Sequence, residues 1–504
     1  MRSYYVVGLL LAGIWMVLAG DSICLAQSQT LKEKVEREVS VQDEATIRKI
    51  IEVGRSNNQV MEHLDILSNR IGARLTGSAA LQEAGRWAVD HFKSFGIENV
   101  RMIEGGTIPV GFYRGQRSGW MIEPKEKPLY FGTSAWSAGT KGVQRGQALL
   151  APQKENFEKI KDKFKGTWVL TEKRKRRRHR NRTDREQQEE QKKQQEEQQK
   201  KRASDEELIE SGIAGFIRSA GSERIITGGR WPSSWEELPT TPSINMGKSD
   251  FDEIQELLRA GRDVVLEFDI RNHFRKGPVS FPNVIADIPG TDFPDEYVII
   301  GAHLDSHDEG TGTVDDGVGV ATTMEAARIL MVSGVKPRRT IRFMLWGGEE
   351  QGCHGSKNYV RDHPELMAKI SAVFVHDLGS RYLSSIRITK SMQDDFEKVL
   401  APVMSLNQEY PFSIEIVESV KKGSSDHDSF IEEGVPGFLW RQSGRANYSV
   451  GHTQRDTYEK AIAEYQEHSS IVVALTAYGV ANLDHLISRE DMPKKDKADL
   501  DRVR

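Results

Sequence analysis

Cysteine is nearly absent from this sequence of 504 residues, which contains only Cys24 and Cys353. So few thiols exclude a disulfide framework as the support of the fold, and they also exclude a zinc site built from clustered cysteines. Hydrophobic residues make up 38% of the chain and charged residues 29%, which is the range of globular proteins. A collagen-like, wholly disordered or polytopic membrane protein is therefore excluded.

Several common catalytic motifs are also missing. The sequence has no His-Glu-x-x-His helix, which excludes the thermolysin type of zinc protease. It has no Gly-x-Ser-x-Gly elbow and no glycine loop of the phosphate-binding type. A serine hydrolase of that class and a nucleotide-binding P-loop enzyme are therefore not indicated.

The N-terminus has the pattern of a secretion signal. Arg2 precedes an apolar run from Val6 to Leu18, which is shorter than the roughly 20 residues that a membrane-spanning helix needs. Small Ala26 offers a cleavage position, whereas bulky Ile23 disfavours processing as a lipoprotein. We expect residues 1–26 to be a cleaved signal peptide and the protein to be exported, secreted or periplasmic, without stable membrane insertion; a retained N-terminal anchor is the alternative.

The net charge of -4 conceals two regions of opposite sign. Residues 173–202 contain 14 Lys and Arg but 6 Asp and Glu, so they carry +8 while the rest of the chain carries -12. The run has no aliphatic or aromatic side chain and cannot bury a face, which favours a solvated spacer. Binding of nucleic acid or an anionic surface stays an alternative, but no aromatic residue is there to stack on bases. We expect no nucleic-acid partner.

The pattern along the chain predicts a larger α/β domain interrupted by an insert. Residues 27–120 form its first part, with a helix predicted over 78–95 that Ser78 caps. Residues 121–277 change to short strands and turns and read as a small β-rich domain that contains the 173–202 run. Residues 278–488 alternate strands and helices, which predicts an α/β layered fold with a mixed, largely parallel sheet. The last helix is predicted over 463–487, and 489–504 form a charged tail.

Metal-ligand residue types follow the ends of these predicted strands. In open α/β sheets, ligands bind just beyond the carboxyl ends of the strands, so these side chains are expected to meet there. Imidazoles with carboxylates and without clustered thiolates are typical of catalytic zinc. The residues are His303, Asp305, Asp315, Asp316, Glu349, Glu350, Asp377 and His452.

The order of these motifs resembles that of the co-catalytic di-zinc exopeptidases, a family that includes bacterial aminopeptidases and glutamate carboxypeptidases. The resemblance rests on three stretches: Gly301-Ala302-His303-Leu304-Asp305-Ser306, Asp315-Asp316-Gly317-Val318-Gly319 and Trp346-Gly347-Gly348-Glu349-Glu350-Gln351-Gly352. It implies a three-layer α/β/α zinc exopeptidase fold, and the inserted segment is similar to a protease-associated domain. The implied substrate is a short peptide.

The resemblance also implies a role for each candidate residue. Two zinc ions per chain are implied, one held by His303 and Asp377, the other by Glu350 and His452, with Asp315 bridging them. Glu349 is implied as the general base, and Asp305 as the carboxylate that orients the His303 ring. Three carboxylate ligands would offset most of the charge of two zinc ions.

Other polar residues in these loops are given structural roles. His354, His376 and His427 are interpreted as packing or supporting residues, with a substrate role left open for His427. Cys353 could bind zinc as a thiolate, but a single buried cysteine is more often a small apolar residue.

Alternatives of other functional classes remain open from the sequence. A single-zinc acyltransferase of the glutaminyl cyclase type shares such a sheet, and a receptor-like binding protein of the same fold would have lost ligands. The sequence leaves open whether the amino or the carboxyl terminus of the peptide is recognised, and it leaves a homodimer open.

Overall fold

The computed structural model describes residues 44–171, 202–377, 379–445 and 450–493. The predicted signal peptide, Cys24, most of the 173–202 run and the end of the charged tail lie outside these residues. Arg202, the last residue of the run, forms a β-bridge with Gln153.

The chain folds around a six-stranded mixed sheet with the order β1-β10-β12-β11-β13-β16. The pairs β11–β12, β11–β13 and β13–β16 are parallel, whereas β1–β10 and β10–β12 are antiparallel. The mixed α/β fold predicted from the sequence is confirmed. The six strands are β1 (Asn99–Tyr113), β10 (His273–Ile288), β11 (Phe293–His303), β12 (Arg339–Trp346), β13 (Ile370–Val375) and β16 (Gly437–Leu439).

Both faces of this sheet are buried, which explains why its strands read as continuous apolar runs. Successive side chains of a strand point to opposite faces, so Ile341 and Phe343 join one core cluster while Met344 and Trp346 join another. The sheet is thus the middle layer of three.

Helices cover the two faces. Helices α3, α7 and α11 pack against the sheet on one side, while α8 and α10 lie on the other. The described α-helices are α1 (44–56), α2 (Val60–Asp65), α3 (Ala79–Ser94), α4 (Lys154–Ile160), α5 (Asp205–Glu210), α6 (Lys248–Arg259), α7 (Val318–Val332), α8 (His354–Asp362), α9 (Gln393–Met404), α10 (His427–Ile431) and α11 (Ala463–Ala481).

A second sheet of eight strands, in the order β3-β2-β9-β5-β6-β7-β8-β4, has apolar clusters of its own. It spans residues 117–270, close to the segment 121–277 that the sequence predicts as an insert; the assignment as a separate protease-associated domain stays a prediction. Its strands are β2 (Arg117–Glu123), β3 (Lys127–Pro128), β4 (Phe131–Thr133), β5 (Gln144–Leu150), β6 (Trp168–Thr171), β7 (Gly215–Ser219), β8 (Ser243–Met246) and β9 (Val265–Ile270).

A small third sheet has the order β15-β14-β17 and packs beside the six-stranded sheet. Its strands are β14 (Tyr382–Thr389), β15 (Ser413–Val417) and β17 (Arg441–Ser443). Among the residues that the structure describes, none of the helices is both long and apolar enough to cross a bilayer.

Two predicted helices can be compared directly with the structure. Helix α3 begins after Ser78, whose hydroxyl accepts a hydrogen bond from the Leu81 amide, so the predicted cap is confirmed. The last helix ends at Ala481, earlier than the predicted residue 487. Leu483 and Ile487 stay buried beyond its end, which explains why the apolar spacing continues although the backbone is no longer helical.

Candidate metal centre

Three neighbouring strands deliver the candidate ligands to one edge of the central sheet. His303 is the last residue of β11, Glu349 and Glu350 follow β12, and Asp377 follows β13. Strand β11 lies between β12 and β13. The chain therefore passes from β11 to the neighbour on one side, β12, and then crosses to the neighbour on the other side, β13. Such a switch point is where open α/β sheets bind their ligands.

The first group consists of His303, Asp315 and Asp377, whose ligand atoms all lie within 4.8 Å of one another. The His303 Nε2 atom is 3.1 Å from Asp315 Oδ1 and 3.5 Å from Asp377 Oδ1. The His303 side chain is fully buried, whereas the two carboxylates are partly accessible. The three residues predicted from the sequence to share one ion are therefore brought together.

The second group consists of His307, Glu350 and His452, again within 4.8 Å. The Nε2 atoms of both histidines lie 3.0 Å from the same oxygen, Glu350 Oε2. Sequence reasoning identified Glu350 and His452 but missed His307. Its position four residues after His303, in the irregular loop that follows β11, gave no signal of this role.

Asp315 faces both groups. Its Oδ1 atom contacts His303 Nε2 at 3.1 Å, and its Oδ2 atom contacts His452 Nε2 at 2.9 Å. Asp456 fixes this position because its carboxylate accepts hydrogen bonds from the backbone amides of Val314, at 2.6 Å, and Asp315, at 3.1 Å. The placement of the two oxygens matches the bridging role that the resemblance implies.

Asp305 is fully buried and holds the loop that carries the two glutamates. Its Oδ1 accepts a hydrogen bond from the Glu349 amide at 3.1 Å, and its Oδ2 accepts one from the Thr76 hydroxyl at 2.7 Å. The His303 Nδ1 atom lies 3.0 Å from the backbone carbonyl oxygen of Asp305 and 3.7 Å from its carboxylate. Asp305 therefore contacts the His303 ring mainly through its backbone and supports Glu349 through its side chain.

Arg74 holds the loop between His303 and Asp315 in place. Its guanidinium is buried and donates hydrogen bonds to four backbone carbonyls, those of Gly72, Leu304, Thr311 and Gly312. Burial lowers the pKa of Arg74 to about 10, while Asp456 and Asp305 act to raise it, so the side chain stays charged at neutral pH. Nothing in the local sequence around Arg74 indicated this long-range role.

The adjacent glutamates differ in their protonation behaviour. Burial, together with the carboxylates of Asp377 and Glu350, holds the pKa of Glu349 well above its usual range, although His303 opposes this. Burial acts in the same direction on Glu350, but His307 and His452 outweigh it and hold its pKa well below the usual range. Two carboxyl groups with pKa values pushed apart are typical of an acid/base residue beside a charged ligand.

The donor set fits two divalent cations. Imidazole nitrogens and carboxylate oxygens converge in both groups, and this ligand combination suits catalytic zinc. Asp316 adds a buried carboxylate whose Oδ1 atom has no hydrogen-bond partner among the residues that the structure describes. The excess of buried negative charge is of the kind that bound cations neutralise.

The three histidines interpreted as packing or supporting residues, and Cys353, lie beside the centre. The His354 ring packs 5.0 Å from that of Trp231, His376 Nδ1 lies 3.8 Å from Asp316 Oδ1, and His427 is buried with its Nε2 atom 3.3 Å from Asp428. The Cys353 thiol donates a hydrogen bond of 3.5 Å to Glu349 Oε1. Burial raises the pKa of Cys353, which favours the neutral thiol.

The chain is similar to known metallopeptidases in sequence and in fold. The sequence profile described as peptidase family M28 matches residues 283–476. Carboxypeptidase Q from Bos taurus is 26% identical over 445 residues, which cover 86% of this chain and 88% of the relative. The motif order of this chain also resembles that of plasma glutamate carboxypeptidase, which is another name for carboxypeptidase Q. The sequence match to carboxypeptidase Q confirms this resemblance.

Two solved structures share the fold. The M28 peptidase precursor from Shewanella amazonensis superposes with a TM-score of 0.67 and 24% identity, covering 90% of this chain and all of that one. The zinc aminopeptidase from Bacillus subtilis superposes with a TM-score of 0.55 and 17% identity, covering 86% of this chain and 97% of that one. Together with the ligand chemistry at the strand ends, the match to the M28 profile over residues 283–476 and the similarity to carboxypeptidase Q indicate that the chain is a zinc metallopeptidase.

Proposed function

We propose that the protein is an exported di-zinc exopeptidase that removes residues from the ends of short peptides. The observation that carries the proposal is the position of Asp315, whose two carboxylate oxygens face two separate groups of ligands. His303 and Asp377 would hold one ion, Glu350 and His452 the other. Zinc ions held there would supply Lewis acidity, which polarises a peptide carbonyl and lowers the pKa of a water molecule toward about 7.

Glu349 moves the proton in this proposal. Its Oε2 atom lies 3.9 Å from His303 Nε2, beside the first group, and its carboxylate is mostly buried. A buried carboxyl group whose pKa lies above its usual range can accept a proton from water and deliver it to the leaving amine. The Cys353 thiol donates a hydrogen bond to the Glu349 carboxylate, and the Glu349 amide donates one to the Asp305 carboxylate. These two contacts hold the Glu349 side chain and its loop in place.

The neighbourhood of the second group supports action on chain ends. A loop of the eight-stranded sheet lies against it: the Thr227 amide donates to the His452 carbonyl at 3.1 Å, and Ile226 forms a β-bridge with Thr453. The buried Glu309 side chain pairs with Arg114 and Arg117, which joins the loop after β11 to the start of the eight-stranded sheet. A metal centre flanked on one side by a loop of a second sheet favours short substrates over a long chain that would have to pass through.

The test of this proposal is substitution of the general base. Glu349→Gln removes the proton acceptor but keeps the size of the side chain, so we expect both zinc ions to stay bound while kcat falls about 100- to 10,000-fold. Elemental analysis gives the zinc content, and mass detection of products from dipeptides gives kcat. Glu365→Gln, at an exposed position after α8, is the matched control and should change neither value.

A set of dipeptide substrates shows which end of the peptide is recognised and tests the cyclase alternative. Dipeptides blocked at the amino terminus and dipeptides blocked at the carboxyl terminus are compared with free ones. Cleavage of only one blocked class identifies the terminus that is recognised. One zinc ion per chain with pyroglutamate formed from N-terminal glutamine would contradict the proposal and favour the cyclase alternative. A Glu349→Gln variant with full activity would remove Glu349 from the base role.

A further inference from the structure

His307 is placed like a metal ligand, although the sequence motifs gave it no role. Its Nε2 atom converges with that of His452 on Glu350 Oε2, each at 3.0 Å. The two imidazole rings meet edge to face with their centroids 4.5 Å apart, so neither ring blocks the other. Two ring nitrogens and one carboxylate oxygen therefore surround a common point.

The backbone and the burial of His307 fix this orientation. Its amide donates a 3.0 Å hydrogen bond to Glu350 Oε1, so one carboxylate contacts both the backbone and the ring of the same residue. The side chain is 9% exposed, and its Nδ1 atom is buried without a hydrogen-bond partner in the described residues. The ring consequently offers its Nε2 atom to the second group.

A glycine from the eight-stranded sheet region makes room for the ring. A methyl group on Gly228 would lie 2.7 Å from His307 Nε2 and 2.9 Å from Cε1, closer than such contacts allow. The neighbouring Thr227 contacts the loop that carries His307, because its hydroxyl donates a hydrogen bond of 2.8 Å to the Asp308 carbonyl oxygen. The space that His307 occupies thus depends on a residue far away in the sequence.

We propose that His307 is a protein ligand of the second metal ion, which is then held by two imidazoles, the Glu350 carboxylate and Asp315 Oδ2. This inference rests on the proposed function, because it presumes that the centre binds two ions. Gly228 is a positioning residue that admits the ring to the group.

The two ions are then held unequally. The first group offers one imidazole and two carboxylates, whereas the second offers two imidazoles and two carboxylates, counting the shared Asp315. Four protein ligands are typical of zinc sites that retain their metal, and three are typical of sites with an open position. We expect a chelator to remove the ion of the first group first.

The experiment measures zinc retained by the full chain during titration with a chelator. We expect two zinc ions in the unaltered protein, released in two steps. In His307→Ala, the affinity for the more tightly bound zinc ion should fall. We expect the fall to exceed the roughly 10- to 100-fold decrease that is typical when a residue supporting a ligand is lost. Gly228→Ala should weaken the same step without removing a ligand, and His485→Ala, an exposed histidine, is the control with unchanged binding.

A second measurement needs no variant. Replacing zinc by Co²⁺ shifts the proton NMR signals of ligand imidazoles far outside the normal range, so ligand histidines can be counted in the unaltered protein. Three shifted imidazole N–H signals are expected, from His303, His307 and His452. Two signals, or chelator curves of His307→Ala that match those of the unaltered protein, would overturn the role of His307 while leaving the di-zinc proposal intact. An unaltered protein that binds fewer than two ions would instead contradict the proposed function.

Discussion

Replacing Arg74 by lysine tests how the ligand loops are held. The guanidinium reaches four backbone carbonyls, and three of them belong to the loop between His303 and Asp315. A lysine ammonium carries its donors on a single nitrogen and cannot span these carbonyls, although it keeps the charge. We therefore expect at least two of the hydrogen bonds to be lost in Arg74→Lys.

The magnitude follows from the burial of these contacts. A hydrogen bond to a charged group contributes about 1.5–3 kcal/mol, so losing two should lower the free energy of unfolding by about 3 kcal/mol. The loop that carries His307 should also become less ordered, since it loses its attachment to Arg74. Zinc affinity is therefore expected to fall together with stability.

Urea unfolding followed by tryptophan fluorescence measures the first effect, and chelator titration measures the second. Arg70→Lys is the matched control, because the Arg70 side chain is 69% exposed and pairs with Asp65 at the surface. An exposed pair of this kind contributes about 1 kcal/mol or less. If Arg74→Lys unfolds at the same urea concentration as Arg70→Lys and binds zinc normally, the reasoning about the buried guanidinium is refuted.

Two further predictions concern regions away from the metal centre. Burial, with a smaller effect of Arg55, lowers the pKa of His468 to about 4, so the unfolded chain binds a proton more readily between about pH 4 and 6.5. The free energy of unfolding should therefore decrease as the pH falls below about 6.5, by about 2 kcal/mol at pH 5. Urea unfolding at pH 7 and pH 5 should show a smaller decrease in His468→Phe than in the unaltered protein. An equal pH dependence in both proteins would contradict this prediction. Deletion of residues 173–202 should leave peptidase turnover within a few-fold in the dipeptide assay, and a loss of folding or of all activity would refute the interpretation of this run as a spacer.

The strand-end ligands could be predicted because two local patterns coincide. Apolar runs such as Tyr297 to Ala302 indicate buried strands, and parallel neighbours must place their carboxyl ends on one edge. His303, Glu350 and Asp377 therefore meet for reasons that are visible in the sequence. The same logic predicted the mixed α/β sheet.

His307 could not be predicted in this way. It follows β11 in an irregular loop, where a spacing of four residues says nothing about which face a side chain takes. Its position depends on the missing side chain of Gly228 and on the Glu350 carboxylate, and both contacts are long-range. Arg74 is a similar case, since its carbonyl partners lie more than 200 residues away for three of its four hydrogen bonds.

The most direct test of the account is anomalous diffraction at the zinc absorption edge from crystals of the zinc-loaded protein. We predict two peaks, one between His303 and Asp377 and the other between Glu350 and His452, with Asp315 between them. The second peak should also lie within ligand distance of His307 Nε2, about 2.0–2.1 Å. A single peak, or two peaks away from Asp315, would contradict the claim that this edge of the sheet binds a pair of catalytic zinc ions.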